Sequence, residues 1–280
     1  MTDFGLRLFL AVLGLVPYRQ RLWIGGWGMA RLIVPFTDIR TRVMSNLELV
    51  FPEMSHDDRQ RIFRGCVDNF GRIFVEAYST SGFVRRTGRG TPSGPGLAAI
   101  EQAAKRGQPV VLVTGHFGNY EAGRIMLIKR GHVVGGLYRP MNNPYFNRHY
   151  VRTMERVGTP VFPRGRSGIT GLVRFVGDGG MAVILTDQYS QEGDELDFMG
   201  LSSMTNTAAA RIAVRKQALL VPFYGIRKMN GLDFDVVFEQ PIEHGDVSDM
   251  TQQMNASLEA RIRANPEQYF WIHRRWKDQS

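Results

Sequence analysis

The sequence of 280 residues contains one cysteine, Cys66, and no uninterrupted apolar run of about 20 residues, the length that a membrane-spanning helix needs. A single cysteine excludes an intramolecular disulfide framework and a zinc site built from clustered cysteines. The sequence also lacks an HExxH zinc motif, a GxSxG serine elbow, a Walker A loop and a GxGxxG loop after any predicted strand. We therefore predict neither a bound metal nor a cofactor.

Lysine is also scarce, since 30 of the 35 basic side chains are arginine, and the net charge is +9. Arginine presents a planar fork of donors that suits phosphate and carboxylate groups. The excess of positive charge predicts an anionic partner, such as a phospholipid surface, a phosphorylated substrate, an acidic protein or nucleic acid. No helix-turn-helix, RRM or zinc-finger pattern supports nucleic acid. The codon usage of a GC-rich genome is the alternative explanation for the many arginines.

The N-terminal region is apolar but short. Residues 4–16 are apolar apart from Arg7, and Asp3 stands where a signal peptide carries basic residues. Residues 22–36 form a second, weakly apolar stretch that contains two tryptophans. We predict a membrane-associated helical segment over residues 1–36, lying among the lipid headgroups with its arginines on the cytoplasmic side. An ordinary buried helical hairpin is the alternative.

The next part of the chain has helical patterns. Ser55 and Asp58 form a capping-box pattern with Asp in place of Glu, and apolar residues recur with a helical period between positions 62 and 77. We predict a helical subdomain over residues 37–90. Residues 82–96 are rich in glycine and proline, which predicts a linker or a flexible loop.

Short apolar runs alternate with helical stretches in the rest of the chain. This alternation predicts an α/β core over residues 91–280, with a largely parallel sheet flanked by helices. The last two runs are close enough to form an antiparallel hairpin at the edge of the sheet. The six runs cover residues 109–114, 133–138, 159–162, 181–186, 219–224 and 234–238.

One predicted strand end carries a histidine and a carboxylate. The first strand is predicted to end at Thr114, Gly115 makes the turn, and four residues separate His116 from Glu121. Ligand sites in open α/β sheets lie at the carboxyl ends of the strands. If a helix starts within the spacer, the carboxylate can orient the imidazole, which then serves as a general base. A histidine with a purely structural role is the alternative.

This segment resembles the His-x4-Asp/Glu motif of the lysophospholipid acyltransferase superfamily. In detail it is similar to the late acyltransferases of lipid A biosynthesis, of the lauroyl and myristoyl type. The final block, PEQYFWIHRRWK, is the most specific part of this resemblance. The other matching stretches are SNLE at 45–48, FPE at 51–53, YRP at 138–140, NP at 143–144 and TDQ at 186–188.

The resemblance implies transfer of a fatty acyl chain from acyl carrier protein to a hydroxyl of a lipid A precursor. It implies that His116 is the general base and Glu121 its partner, at the cytoplasmic face of the bacterial inner membrane, where the N-terminal segment anchors the protein. A tetrahedral oxyanion needs preorganised donors. Backbone N–H groups over residues 117–119, or an arginine, are the candidates.

Seven further residues are predicted to bind substrate. Each has a structural alternative, because a strand end can be a simple turn and an arginine on a helix can be a solvated surface group. Only one of Arg152 and Arg156, four residues apart on a predicted helix, is expected to match the arginine of the family. The candidates are Arg139, Asn143, Arg152, Arg156, Arg164, Asp187 and Gln188.

Three other functions remain open at this stage. The same chemistry could act on another acceptor, such as a mannosylated phosphatidylinositol or an aminolipid. The same base could activate water, which would make the protein a thioesterase or hydrolase. A non-catalytic, basic, membrane-binding protein is the reading from a different class.

Overall fold

Helices fill the first part of the chain in the computed structural model, which describes residues 12–141 and 143–277. A short π-helical turn, Met29–Ile33, and a 3-10 turn, Val34–Phe36, connect the first two helices. The helices that precede the first strand are α1 (Tyr18–Gly28), α2 (Ile39–Val50), α3 (His56–Tyr78), α4 (Thr80–Thr87) and α5 (Pro95–Lys105).

The start of α3 confirms the capping pattern that the sequence predicts. The Ser55 hydroxyl accepts a hydrogen bond from the Asp58 backbone N–H at 3.1 Å, and acidic side chains occupy the first turn, where the helix dipole favours them. The prediction of a loop over residues 82–96 is only partly right. Helix α4 continues to Thr87, and α5 begins at Pro95, a residue that suits the first helical position.

Helix α1 packs closely on α3 through two glycines. A β-carbon on Gly25 would lie 2.7 Å from the Gly71 carbonyl oxygen, and one on Gly71 would lie 2.2 Å from that of Gly25. Any side chain at either position would therefore push the two helices apart. The N-terminal helix is fixed to the rest of the molecule by this contact.

A six-stranded sheet follows, in the order β3-β2-β4-β1-β7-β8. In this sheet the five strands other than β8 are parallel to one another. Strand β8 pairs antiparallel with β7, as predicted for the edge hairpin. Every residue of β1 is buried, which is typical of a central strand covered on both faces. The strands are β1 (Val110–Thr114), β2 (Val134–Tyr138), β3 (Val161–Pro163), β4 (Met181–Leu185), β7 (Leu219–Arg227) and β8 (Phe234–Phe238).

Helices cover both faces of this sheet, so the predicted α/β class is confirmed. On one face α5 and α6 pack in one core cluster, and on the other face α8, α9 and α10 pack in a second. The division of the chain at residues 36 and 90 stays a prediction. The helices after β1 are α6 (Glu121–Lys129), α7 (Pro144–Val157), α8 (Arg166–Gly177), α9 (Ala208–Lys216) and α10 (Val247–Ala264).

The sequence reading missed a two-stranded antiparallel hairpin, β5 (Tyr189–Phe198) with β6 (Leu201–Thr205). Strand β5 is mostly polar, and Phe198 is its one buried residue, so it lacks the apolar run that predicts a strand. Met199 and Gly200 make the tight turn, with φ values of 61° and 81°. The hairpin directly follows the end of β4, where the candidate site begins.

The C-terminal block, residues 266–277, lies inside the fold. Trp271 and Trp276 are buried in the same cluster as residues of α2 and α3, so their side chains belong to the core. The Trp276 indole donates to the Phe198 carbonyl oxygen at 3.1 Å, which ties this block to the β5–β6 hairpin. The most specific part of the sequence resemblance is thus a structural centre of the molecule.

The N-terminal segment exposes apolar side chains. Residues 4–11 of the first apolar run lie outside the described residues. Within the described ranges no helix is both long and apolar enough to cross a membrane. The exposed apolar side chains of this segment, called here the apolar N-terminal surface, are Val12, Leu15, Trp23, Trp27, Leu32, Ile33 and Phe36.

Candidate functional site

The site lies where the order of the strands reverses. Strand β1 is followed in the chain by β2 and β3 on one side of it, whereas the chain leaves the inserted strand β4 to reach β7 on the other side. His116 follows β1 and Asp187 follows β4, and these two strands are neighbours. Open α/β sheets bind their ligands at such a switch point, at the carboxyl ends of the strands.

His116 and Asp187 form a closely held pair. The Asp187 carboxylate accepts the His116 backbone N–H and the His116 Nδ1, both at 2.8 Å. The Asp187 side chain is 3% exposed and the His116 side chain 27%, so the carboxylate is sealed while the ring reaches solvent. The sequence predicts Glu121 as the partner of the imidazole, but the carboxylate that bonds Nδ1 in the structure is that of Asp187. A role for Glu121 stays a prediction.

The charge of Asp187 fixes the orientation of the imidazole. Burial would raise the pKa of Asp187, but the His116 charge and its two hydrogen bonds outweigh burial and hold the pKa below its usual value. An ionised carboxylate can only accept hydrogen bonds, so Nδ1 carries the proton. The Nε2 atom of a neutral ring is then the free acceptor, as a general base requires.

Glycine at position 115 permits this arrangement. A β-carbon there would lie 2.6 Å from a methyl group of Leu258 and 3.2 Å from an Asp187 carboxylate oxygen. A larger residue would displace the carboxylate or the helix that carries Leu258. The hydrogen bonds between His116 and Asp187 therefore require a residue without a side chain at position 115.

Glu121 lies in the same region with another partner. Its carboxylate accepts from Arg124 at 3.2 Å and is 20% exposed. Arg124 is buried and also donates to the Val134 and Gly158 carbonyl oxygens. Burial raises the pKa of Tyr120 well above its usual value, with smaller contributions from Tyr150, Glu121 and Asp187, so both carboxylates act on the same phenol.

Aromatic rings flank the histidine. The centroid of the His116 ring lies 5.9 Å from that of Tyr120 and 5.7 Å from that of Phe270. The Phe270 N–H donates to the His116 carbonyl oxygen at 2.9 Å, so the C-terminal block helps to hold the turn. The imidazole therefore lies close to two aromatic rings.

The backbone N–H groups proposed as oxyanion donors are already used. Phe117 donates to the Gly115 carbonyl at 2.8 Å, Gly118 to Gln268 at 2.9 Å and Asn119 to Gly225 at 2.8 Å. None of these three groups points at an open position, so that prediction is wrong. The arginine alternative stays a prediction.

A buried polar network supports the turn from below. The Glu76 carboxylate of α3 accepts from both terminal nitrogens of Arg227, at 2.6 and 2.8 Å, and from the Asn119 amide at 2.8 Å. Asn69 accepts from Arg227 Nε at 2.7 Å and donates to the Gly118 carbonyl at 3.1 Å. Helix α3 is thereby hydrogen-bonded to Gly118 and Asn119, the two residues after Phe117.

Sequence reasoning missed this network, although a signal was present. Ile62, Asn69 and Glu76 are seven residues apart and share the buried face of α3. A carboxylate on an apolar face is rarely buried without a partner. A buried glutamate on α3 could thus have predicted a basic partner, but not which of 30 arginines supplies it.

His273 is a second missed residue. Its Nε2 accepts from the Tyr189 backbone N–H at 3.2 Å. Burial lowers the pKa of His273, while the Asp187 carboxylate acts in the opposite direction. His273 therefore stands beside the site as a neutral acceptor and connects the C-terminal block to the start of β5.

Two predicted arginines stand at the same edge of the sheet as His116. Arg139 directly follows β2 and Arg164 directly follows β3, and both side chains are exposed. Within residues 12–141 and 143–277 neither side chain has an acidic partner. They are available to an anionic ligand that extends from His116 across β4 and β2.

The other candidates separate into different positions. Asn143 caps α7, since its side-chain oxygen accepts from the Tyr145 and Phe146 N–H groups. Gln188 is half-buried beside Asp187. Arg152 is exposed on α7, and Arg156, near the end of that helix, lines a separate cleft. Asn143 thus has a structural role that explains it, whereas a ligand role for the others stays a prediction.

The described residues offer no metal site or reactive thiol. The part of the chain that the structure covers contains no group of three potential metal-ligating His, Cys, Asp or Glu side chains. Burial raises the pKa of the Cys66 thiol to about 12. Cys66 is therefore a protonated core residue.

The fold and the site define an α/β enzyme with a carboxylate-held histidine at a topological switch point. A family profile described as bacterial lipid A biosynthesis acyltransferase matches residues 2–278. Because the match covers nearly the whole chain, the protein belongs to this family of acyltransferases.

Curated relatives agree with this assignment. The chain is 29% identical over 268 residues to a lipid A biosynthesis lauroyltransferase of Escherichia coli K12, covering 90% of this chain and 84% of the relative. It is 28% identical over 287 residues to the palmitoleoyltransferase of the same organism, covering 99% and 91%. A lipid A biosynthesis acyltransferase of Haemophilus influenzae is 23% identical over 279 residues, covering 94% and 84%.

Proposed function

We propose that the protein transfers a fatty acyl chain from acyl carrier protein to a hydroxyl of a lipid A precursor, with His116 as the general base. Family membership supports acyl transfer in lipid A biosynthesis. The observation that carries the chemical assignment is the 2.8 Å hydrogen bond between His116 Nδ1 and Asp187, which leaves Nε2 free at the switch point.

The proposed reaction is balanced in its protons and its bonds. His116 Nε2 takes the proton of the acceptor hydroxyl while its oxygen attacks the thioester carbonyl carbon. The tetrahedral intermediate collapses, the C–S bond breaks, and the imidazolium returns the proton to the departing thiolate. Asp187 stabilises the imidazolium between these steps, as a buried carboxylate does in a serine protease triad.

Direct transfer fits the groups near His116. An acyl-enzyme route would need a nucleophilic side chain, and the only cysteine is buried with a raised pKa. Glu121 is proposed to act in the same crevice, where Arg124 holds its carboxylate in place. Its position supports a role in orienting the acceptor.

Arg139 and Arg164 supply positive charge for an anionic acceptor. Arg139 and Arg164 extend from neighbouring strands on the side of β4 away from β1. Arginine binds phosphate in a bidentate geometry. We therefore place a phosphate of the lipid A precursor over β2 and β3, with its reacting hydroxyl at His116.

The donor and the location complete the proposal. An acidic carrier protein would be attracted by the net charge of +9. Exposed Trp23 and Trp27 stack at 6.2 Å on the apolar N-terminal surface, an arrangement suited to the lipid interface. We place the protein on the cytoplasmic face of the bacterial inner membrane.

The test is an acyl-transfer assay on membranes that contain the wild-type protein or the His116→Ala variant. The substrates are an acyl carrier protein thioester and a tetraacylated lipid A precursor bearing Kdo sugars. We expect a mass gain of one acyl chain with wild type, reduced about 10²–10⁴-fold in the variant because general-base catalysis contributes about that factor.

Each alternative function gives a different result in this assay. Free fatty acid without an acylated lipid would indicate a thioesterase. Thioester consumption with acylation of another glycolipid or phospholipid would retain the chemistry and reject the acceptor. Wild-type activity in His116→Ala would reject the proposed base, and no reaction with folded wild type would favour a non-catalytic membrane-binding protein.

A further inference from the structure

A basic cleft lies away from His116. Four cationic side chains converge on a volume of about 510 Å³: Arg85 of α4, Arg89 just after it, Lys129 of α6 and Arg156 of α7. No carboxylate lines this volume. Among residues 12–141 and 143–277, none of the four has an ion-pair partner.

The helix axes separate this cleft from the acyl-transfer site. Helix α6 begins at Glu121, beside the His116 turn, and Lys129 is eight residues further along it. At a rise of about 1.5 Å per residue, Lys129 lies about 12 Å along the axis from Glu121. Arg156 is likewise near the end of α7, twelve residues beyond its start at the carboxyl edge of the sheet.

Small residues in and just after α4 keep the cleft open. A β-carbon on Gly88 would lie 2.7 Å from the Lys129 side chain, so a larger residue there would push that side chain aside. Ser81, one turn before Arg85, is also exposed in the wall. Four positive charges are thus gathered around a concave volume without carboxylates to neutralise them, which costs free energy unless an anion is bound.

The N-terminal segment that carries the apolar N-terminal surface contacts the same helix. A β-carbon on Gly82 would lie 3.1 Å from the Tyr18 ring, and Arg21 donates to the Ser79 hydroxyl at 3.4 Å. Leu15, a few residues before α1, is 86% exposed. Because α1 contacts α4, a bilayer that takes up the exposed apolar side chains of this segment would bring headgroup phosphates to the side of the molecule on which α4 lies.

We propose that the basic cleft binds the phosphate of an anionic phospholipid headgroup in the bilayer. This inference goes beyond the proposed acyl transfer and does not depend on it. The concave shape favours one small polyanionic group over the broad surface of an acidic protein. The apolar neighbour favours a phosphate that is attached to a membrane lipid over one that is free in solution.

The test is vesicle sedimentation of the full-length protein with phosphatidylcholine vesicles and with vesicles of equal parts phosphatidylcholine and phosphatidylglycerol. The double variant Arg85→Gln/Arg89→Gln is expected to bind the anionic vesicles about 25-fold more weakly than wild type, from about fivefold per charge near an anionic surface. Its binding to neutral vesicles is expected to stay unchanged.

The matched control is Arg106→Gln/Arg215→Gln, which removes two exposed arginines outside the cleft. We expect a change of less than about threefold, because a distant charge is screened within a Debye length. A second test variant, Ser81→Asp, keeps every cation and places a negative charge in the wall. It is expected to weaken anionic-vesicle binding as well, and its thermal unfolding midpoint reports whether the fold is intact.

Three results would overturn the proposal. The first is equal loss of binding in the cleft variant and the control. The second is inorganic phosphate, at constant ionic strength, displacing the wild-type protein from the vesicles at concentrations matched to the lipid. The third is loss of affinity for acyl carrier protein in solution with vesicle binding retained, which would make the cleft a protein-docking site.

Discussion

The two halves of the carboxyl edge of the sheet are built in opposite ways. Beside β1 and β4, the polar groups of the His116 turn have internal partners, and the Asp187 carboxylate is 3% exposed. Beside β2 and β3, Arg139 and Arg164 are exposed and have no acidic partner in the described ranges. The half beside β1 and β4 holds its polar groups in fixed positions, as the proposed proton transfer requires. The half beside β2 and β3 leaves positive charge available for the proposed ligand.

We call the half beside β1 and β4 the closed half and the half beside β2 and β3 the open half. Mutations in the two halves are expected to affect different properties of the protein. A buried group that loses its partner keeps the full cost of desolvation. An exposed arginine that is removed costs the fold little, because its surroundings are already solvated. The closed half should therefore respond in catalysis and stability, and the open half in acceptor affinity.

The strongest test of the closed half is Asp187→Asn, which keeps the shape and removes the charge. Because the neutral amide no longer fixes the tautomer or stabilises the imidazolium, we expect kcat to fall about 10²–10⁴-fold with little change in KM. Steady-state acyl-transfer kinetics measure both constants. Asp197→Asn on the exposed strand β5 is the control, and a wild-type kcat for Asp187→Asn would contradict the assignment.

The supporting network predicts the next largest effect. Arg227→Gln leaves the Glu76 carboxylate buried without its cation, so we expect the free energy of unfolding to fall by about 3–5 kcal/mol. Denaturant unfolding measures this loss. Arg86→Gln is the matched control, because its ion pair with Asp233 also joins the helical layer to the β7–β8 hairpin but is 40% and 35% exposed.

The control should lose only about 0–1 kcal/mol. Equal losses for Arg227→Gln and Arg86→Gln would show that the buried pair contributes no more than a surface pair.

The open half predicts a change in binding without a change in chemistry. Arg139→Gln/Arg164→Gln is expected to raise the KM for the lipid acceptor about 10-fold, since an exposed charge pair contributes about 0.2–1 kcal/mol and two arginines are removed. The kcat should stay near wild type, and the salt dependence of KM should weaken. Arg174→Gln on α8 is the control, and a lowered kcat with unchanged KM would count against this division.

The smallest effect concerns pH. Because burial lowers the pKa of His273, its contribution to stability is fully present above the unfolded value, about 6.5, and declines as pH falls below it. His273→Gln should therefore flatten part of the decline in unfolding free energy between about pH 7 and pH 5. Parallel unfolding curves for wild type and His273→Gln would exclude this contribution, and exposed His56→Gln serves as the reference.

Much of the fold follows from local patterns, but the partner of His116 does not. Alternating apolar runs predict the strands of the parallel sheet, because buried strands must be apolar along their length. Asp187 lies 71 residues from His116 in the chain, and only the order of the strands brings them together. Glu121 is nearer to His116 in sequence, but its carboxylate accepts a hydrogen bond from Arg124, three residues further along the helix.

The same reasoning applies to the predicted oxyanion donors. The first N–H groups of a helix lack partners within the helix, which is why the sequence predicts donors there. In the structure the N–H groups of residues 117–119 donate to carbonyls of the preceding turn, of the C-terminal block and of β7. Those long-range contacts have no local sequence signal. The exposed positions of Arg139 and Arg164, in contrast, follow from the predicted strand ends alone.

The central claim, that Asp187 holds the imidazole, is tested most directly by nitrogen-15 NMR of histidine-labelled protein, with the His116 signals assigned through His116→Gln. The account predicts a protected, downfield Nδ1 proton in wild type and in Glu121→Gln, and its loss in Asp187→Asn. A signal that survives in Asp187→Asn and disappears in Glu121→Gln would contradict it.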